Sequence, residues 1–399
     1  MKFEKLSEKQ AEIIKFISEP DDTLICDGAV RSGKTVVMIM AFVIWAMTHF
    51  ENTNFAICGK TVGNVEKNVL RPLFEIEGLP YTFSYRRSDS MLAVNCGGIK
   101  NNFYVYGGKD ESSYMLIQGI TLAGVFFDEV ALMPRSFVEQ AISRTLTFDN
   151  SKLWFNCNPD SPSHWFYEGY IAEIPPGAKR LHFLMEDNPI MTEEKIKKAK
   201  SKFTGVFYDR YVNGLWVVAQ GLVYKVFDDG KNIEEVSPTD GMWYISMDYG
   251  TLNPCSMGLW CVKDGIAHRV DEYYYDGRKK GVQKTDEDYY GELEKLAGDR
   301  NIQCLVIDPS AASFIATVRR HGHFAVRKAK NDVIPGINAT ATLISDGRVI
   351  INRKCGDILR EFKTYRFDEN APCDRVIKEN DHAMDDMRYF CYTILERMR

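Results

Sequence analysis

The stretch Thr23-Leu24-Ile25-Cys26-Asp27-Gly28-Ala29-Val30-Arg31-Ser32-Gly33-Lys34-Thr35-Val36-Val37-Met38 is an apolar run, a glycine-bounded loop and a second apolar run. Its core, Gly28 to Thr35, has the G-x-x-x-x-G-K-[ST] form of a phosphate-binding loop. Average residue usage gives such a match about a 1–2% chance in a chain of this length, so context decides. The loop must follow a strand and open a helix. Thr23–Cys26 is predicted as the strand, and Val36 onward as the helix. Glycines let backbone N–H groups curl around phosphate oxygens at the helix N-terminus. Lys34 would then meet the β- and γ-phosphates, and Thr35 would ligate Mg²⁺. The arginine inside this loop, Arg31, is unusual and needs a reason.

A P-loop ATPase also needs an acid at the end of another buried strand. Gly124-Val125-Phe126-Phe127-Asp128-Glu129 supplies an adjacent pair. Asp128 would hold Mg²⁺ and Glu129 would polarise the attacking water. A third strand is expected at Leu153-Trp154-Phe155-Asn156-Cys157-Asn158-Pro159, where either Asn156 or Asn158 could sense the γ-phosphate; a plain turn at Asn158-Pro159 is the simpler alternative.

At 399 residues, 45% hydrophobic and 26% charged, the chain reads as globular with two domains. A net charge of −5 excludes a globally basic nucleic-acid binder and leaves local patches. These are Lys195, Lys197, Lys198, Lys200 and Lys202; Arg278, Lys279 and Lys280; Arg319 and Arg320; and Arg327, Lys328 and Lys330. They suit sequence-independent phosphate contact, although the first group also reads as a solvated helix face. Ten cysteines without a C-x-x-C pair read as reduced thiols, not as a disulfide framework or zinc site. Met1–Gln10 carries no apolar signal region. The apolar run Val36–Met47 falls short of the ~18–20 residues that span a bilayer, so it is expected to be a buried helix.

The chain is expected to divide into a motor domain over 1–216, a linker or hinge over 217–241, and a second domain over 242–399. The second domain shows Trp243–Asp248, Cys255–Val262 and Ile266–Tyr275 as β-rich runs, the last two joined by Asp264-Gly265, a hairpin signal. Asp248 ends the first run, and Asp308 ends a later one at Cys304-Leu305-Val306-Ile307-Asp308. A third acidic group, Asp381-His382-Ala383-Met384-Asp385-Asp386, opens a helical stretch. A three-strand meander with aspartates at these places is the ribonuclease H-like nuclease plan. There, two divalent ions bridged by carboxylates activate water and stabilise the leaving oxygen. Mg²⁺ or Mn²⁺ suits such oxygen donors. His382 lies one turn before Asp385 on the same face, as an auxiliary ligand or proton shuttle. Asp381, at i−4 from Asp385, is placed to cap the helix.

Taken together, the loop with its internal arginine, F-F-D-E and F-N-C-N-P resemble the large terminase subunit of tailed double-stranded-DNA bacteriophages. The resemblance runs from Gln10 to Tyr389. It implies an α/β protein with an N-terminal P-loop ATPase of the ASCE type, followed by a C-terminal ribonuclease H-like nuclease. Leu6-Ser7-Glu8-Lys9-Gln10 is similar to that family's adenine-contacting motif and gives Gln10 this role. The resemblance implies ATP contacts from Gln10, Gly28, Arg31, Ser32, Gly33, Lys34, Thr35, Asp128 and Asn156, with Mg²⁺ on Thr35 and Asp128. It supports nuclease ligands at Asp248, Asp308 and Asp385, with His382 beside them; Asp386 is the alternative to Asp385. Catalytic arginines are implied at Arg31 and at Arg144, the latter acting on a neighbouring subunit's ATP; which is the principal one stays open. The implied partners are double-stranded DNA, the portal protein, the small terminase subunit and a homo-oligomeric ring, a pentamer, on the procapsid. No membrane is involved, and the work is done in the host cytoplasm rather than in the mature virion. The alternatives are a helicase-type ATPase with a non-nuclease accessory domain, and a ribonuclease H-like recombinase or transposase.

Overall fold

The computed structural model describes residues 5–369, 371 and 374–398. Met1–Glu4, part of the segment read as lacking a signal region, lie outside the described residues. The chain divides into two compact units: residues 1–200 with 206–218, and residues 201–205 with 219–399.

The first unit is built on an eight-stranded sheet in the order β3-β4-β5-β2-β6-β7-β1-β8. In chain order its strands are β1 (Thr23–Gly28), β2 (Asn54–Gly59), β3 (Thr82–Arg86), β4 (Met91–Cys96), β5 (Ile99–Gly107), β6 (Gly124–Asp128), β7 (Lys152–Asn156) and β8 (Ala178–Phe183). β1 runs parallel to both β7 and β8, and β6 runs parallel to β7. The carboxyl ends of β1, β7 and β6 therefore lie side by side, where ligands of open parallel sheets gather. Among these strands β4 alone is reversed, pairing antiparallel with both β3 and β5 at one edge of the sheet.

The apolar run after the loop forms the helix Lys34–His49, buried over most of its length. Its Phe42 packs against Trp45, Phe55, Phe103, Phe126 and Trp154 with ring centroids 5.7–6.0 Å apart. Aromatic pairs of this kind contribute about 0.5–1.5 kcal/mol each beyond their buried area, which makes the helix a rigid support for the loop.

The second unit contains a seven-stranded sheet, β14-β13-β10-β11-β12-β15-β9. Its strands are β9 (Ile233–Glu234), β10 (Met242–Asp248), β11 (Cys255–Lys263), β12 (Ile266–Tyr275), β13 (Ile302–Ile307), β14 (Val326–Lys328) and β15 (Val349–Asn352). β10, β11 and β12 form an antiparallel meander, and β13 lies parallel to β10. Asp264 at φ 50° and Gly265 at φ 78° make the β11–β12 turn, as the D-G dipeptide suggested.

Residues 219–241, expected within a connector, are instead built into this unit. Tyr224 is buried, β9 pairs with β15, and the buried Asn232 donates to Ile344 O and Val349 O at 3.2 and 3.1 Å. The polar Asp228–Asn232 stretch imitates a linker because it holds a cap: the Asp228 carboxylate accepts from Gly230 N. No helix among the described residues is long and apolar enough to cross a membrane.

Candidate active sites

In the first unit β1 continues to Gly28, two residues beyond the expected strand, and the helix starts at Lys34, two residues earlier than expected. Two glycines are dictated by geometry. Gly28 has φ +126°, and a Cβ there would lie 2.0 Å from Phe183 O. Gly33, the helix N-cap at φ +80°, leaves no room for a Cβ beside the Gln10 amide at 2.7 Å. Arg31 adopts φ 58°, a left-handed conformation that a non-glycine residue holds only when its surroundings fix it. Here Asn188 Nδ2 donates to Arg31 O at 2.8 Å. The Arg31 side chain is exposed.

The Lys34 ammonium is buried within the loop. It donates to Ala29 O at 2.8 Å, to Gly28 O and Ser32 Oγ at 3.2 Å, and to Asn158 Oδ1 at 3.3 Å. Burial pulls its pKa below the ordinary lysine value. Asn156, at the end of β7, joins the end of β6 to the start of the helix, its Nδ2 donating to Thr35 Oγ1 at 2.8 Å and to Asp128 Oδ1 at 2.6 Å. Asn156 thus holds the Thr35–Asp128 pair, and Asn158 touches Lys34. Asn156 Oδ1 is buried with no hydrogen-bond partner. A hydroxyl, a carboxylate and an orphaned amide oxygen within one cluster are the hard donors that Mg²⁺ prefers, so these residues fit that ion. Burial, with the neighbouring Glu129 charge, raises the Asp128 carboxyl to about 7. Glu129 sits at φ 56° and is raised by burial.

Gln10 lies on the helix Glu8–Lys15, where its Oε1 accepts from Ser7 N at 3.1 Å in a capping box. Its amide nitrogen faces Gly33. Arg144 caps the C-terminus of the helix Arg135–Ser143 and is half-buried; its guanidinium donates to the Gln140 side-chain oxygen at 2.7 Å.

One partner of the loop gave no motif signal. Asp27, completely buried, accepts from Arg180 Nε and Nη2, both at 2.9 Å, from Trp216 Nε1 at 3.0 Å, and pairs with His182 Nδ1 at 3.3 Å. Burial alone would raise its pKa, but the His182 and Arg180 bonds win and hold it well below the usual carboxylate range. A depressed folded pKa means stability present above the unfolded value and lost as pH falls. The protein is therefore expected to lose stability as pH drops below about 4, the unfolded aspartate value, and Asp27→Asn is expected to flatten that loss. Thermal melts of both proteins from pH 6 to pH 3 measure it; parallel curves would refute the assignment.

In the second unit Asp248, Asp381, His382 and Asp385 line one cavity of about 760 Å³, together with Arg278, Lys279 and Lys378. Asp248 ends β10, and the other three acid and imidazole groups open the helix His382–Thr393. His382 Nδ1 lies 2.7 Å from Asp248 Oδ2. Burial pushes the Asp248 carboxyl up to about 6. For His382 burial opposes protonation, but the bond to Asp248 outweighs it and raises the imidazole above its ordinary value. Asp308 follows β13 and is not among the residues lining the cavity; Tyr389, one turn beyond Asp385, donates to Asp308 Oδ2 at 2.9 Å. Asp381 makes no side-chain cap at the helix start and pairs instead with Lys378 at 3.0 Å.

The adjacent acids Asp385 and Asp386 face opposite ways. Asp386 is fully buried, accepting from Arg269 Nη1 at 2.5 Å, Arg269 Nη2 at 3.1 Å, Ser246 Oγ at 2.8 Å and from Ser256 Oγ. It anchors the helix to the sheet and does not reach the cavity. Glu361, raised to about 7 by burial, accepts from Ala383 N at 2.7 Å and Met384 N at 3.2 Å and so caps the same helix. Glu361 carried no signal in the sequence and Asp386 read only as an alternative ligand, because a buried carboxylate on a helix reads like any surface acid.

The donors around the cavity are chemically suited to a hard divalent ion. As the side chains stand, no three His, Cys, Asp or Glu groups among the described residues converge closely enough to hold one. Of the basic clusters, Arg278 and Lys279 reach the cavity, whereas Arg320 is bound to Glu287 and Lys200 to Glu186.

The chain matches the family described as Terminase large subunit, T4likevirus-type, N-terminal, over residues 25–228, slightly more than half its length. It belongs to the phage large terminase family. The large terminase of a thermophilic bacteriophage is 43% identical, with a TM-score of 0.93 over 98% of this chain and 100% of that one. The same thermophilic-phage terminase in complex with ATP-γ-S gives 42% identity and a TM-score of 0.91, again over 98% of this chain and 100% of that one. The large terminase subunit of Escherichia phage T5 is 22% identical over 291 residues, which cover 68% of this chain and 65% of that protein. Both units of this terminase thus have a counterpart in one solved family member, and the mixed α/β architecture is that of a large terminase.

Proposed function

We propose that the chain is a phage DNA-packaging enzyme that hydrolyses ATP in its first unit and cuts DNA in its second. One observation carries the ATPase reading: Asn156 draws Thr35 and Asp128 into a single cluster beside Lys34, and its own oxygen is left over for a further ligand. Gln10, Gly28, Arg31, Ser32, Gly33, Lys34, Thr35, Asp128 and Asn156 are the residues we assign to ATP. Lys34 would transfer its bonds from the loop carbonyls to the β- and γ-phosphates. Glu129 would orient and deprotonate the attacking water. Bound Mg²⁺ would supply the charge that neutralises the phosphates. Arg31 and Arg144 are the cations available to the transition state, Arg144 towards a neighbouring subunit.

The nuclease reading rests on a ribonuclease H-like strand order, β12-β11-β10-β13-β14, with Asp248 ending β10, Asp308 after β13 and Asp385 on the helix packed against β10 and β11. In this reading Asp248, Asp308, Asp385 and His382 serve Mg²⁺ or Mn²⁺, two ions in all, and the ions would supply water activation. The substrate is double-stranded DNA held through its phosphates. The assembly is a ring of five subunits on the portal with the small terminase subunit, working in the host cytoplasm.

The two activities are separable. ATPase and Mn²⁺-dependent plasmid cleavage are measured on one preparation of wild type, Glu129→Gln and Asp248→Asn. Glu129→Gln is expected to lose about 10²–10⁴-fold in ATP turnover and keep cleavage; Asp248→Asn is expected to do the reverse. ATPase retained by Glu129→Gln would refute the first assignment, and cleavage retained by Asp248→Asn the second.

A further inference from the structure

A cation stands among the carboxylates of the second site. Lys378 Nζ lies 3.0 Å from Asp381 Oδ2 and 3.0 Å from Asp385 Oδ2. The two carboxylates are almost fully buried, at 5% and 9% side-chain exposure, whereas the lysine side chain is 52% exposed. The other oxygen of Asp385 is held differently: Arg388 donates to Oδ1 through Nη2 at 2.9 Å and Nε at 3.3 Å. Arg388 is buried and also donates to Asn331 O at 3.0 Å and Asp332 O at 3.4 Å. It is a fixed partner. Lys378 reaches the pair from the surface on a flexible stem and can leave at little cost.

We propose that Lys378 is a built-in counter-ion that competes with the divalent metal for Asp385 Oδ2 and Asp381 Oδ2. This rests on the nuclease reading given above. Arg388 commits one Asp385 oxygen permanently, so Oδ2 is the oxygen left to bind an ion, and there the ammonium stands. Its positive charge offsets the repulsion among Asp248, Asp381 and Asp385, which would otherwise crowd one cavity. A divalent ion gains access to Asp385 only when Lys378 moves away. Arg278 and Lys279 line the same cavity and would hold a DNA phosphate there, an anion able to take up the displaced ammonium. The metal site is thus silenced without DNA and opened by the substrate's own charge.

The test is Mn²⁺ binding to the full-length protein without DNA, monitored by titration calorimetry and by the electron paramagnetic resonance of free Mn²⁺. Lys378→Met keeps the stem and removes the charge. It is expected to bind Mn²⁺ roughly 3- to 30-fold more tightly than wild type, the effect of deleting two partly exposed ion pairs. Lys378→Arg is expected to bind as wild type, and Asp385→Asn to abolish the gain in the Lys378→Met background. Equal or weaker Mn²⁺ affinity in Lys378→Met would overturn the proposal, as would a gain that survives Asp385→Asn. The underlying reading is checked separately by plasmid cleavage. If wild type cleaves and Asp248→Asn does not, a failed Mn²⁺ result removes the role of Lys378 alone; if neither wild type nor Lys378→Met binds Mn²⁺ or cleaves, both fall.

Discussion

Lys34→Ala is expected to abolish ATP hydrolysis, with a fall of at least about 10²–10³-fold in kcat, the loss typical when one preorganised charge at a transition state is removed. The side chain does two things in this fold. Its ammonium is held by Gly28 O, Ala29 O, Ser32 Oγ and Asn158 Oδ1, so it stays poised inside the loop rather than in solvent. Burial also makes the charge costly to keep, so any phosphate that offers it a counter-charge is favoured. The variant should therefore lose nucleotide affinity as well as turnover, unlike Glu129→Gln, which should still bind. Turnover and equilibrium binding of a fluorescent ATP analogue to both variants measure the contrast. Wild-type hydrolysis by Lys34→Ala would remove the P-loop from the mechanism altogether.

The second large effect separates two adjacent residues. Asp386→Asn removes the nearer of the two carboxylates on the fully buried Arg269 and leaves it only Glu272, at 3.2 Å. Breaking a buried pair in this way costs about 3–5 kcal/mol. At roughly 2–4 °C per kcal/mol for a unit of this size, the melting temperature should fall by on the order of 10 °C. Asp385→Asn is expected to shift it by only a few degrees. Its Arg388 partner keeps two carbonyl acceptors, Lys378 can turn to solvent, and one of several crowded negative charges is removed. Cleavage should be lost in Asp385→Asn by at least about 10²-fold, as expected of a group that carries charge at the reacting phosphate. Calorimetric melts and plasmid degradation of both variants decide it. Equal thermal losses would show that the two aspartates do not face opposite ways.

The first site was legible because its chemistry is local. Gly28 to Thr35 is one continuous segment whose glycines, lysine and threonine sit at fixed offsets along a strand, a turn and a helix start. Asp128-Glu129 announces itself by ending an apolar run. The periodic pattern likewise marked the β11–β12 hairpin, since a two-residue turn needs left-handed backbone that Asp-Gly provides. Boundaries were less legible: the strand runs on to Gly28 and the helix begins at Lys34, because hydrogen bonding ignores where polarity changes. The connector expected over 217–241 is a related case, since from residue 219 onward the chain belongs to the second unit. Its polar residues serve a cap and a buried amide, and composition cannot distinguish a polar group facing water from one bonded inside.

The sequence by itself determined the class of protein, the nucleotide loop and the acidic positions worth considering, since each depends on neighbours a few residues away. Only the tertiary structure decided which acids face a cavity and which are anchors. Asp385 and Asp386 are indistinguishable as letters, yet a helix turns successive side chains by about 100°, so one meets Lys378 and the other Arg269. The same holds for Asn156, Asp27, Glu361 and Lys378, whose partners lie from 3 to 189 residues away along the chain. Their roles come from distances that folding creates, and no local pattern records them.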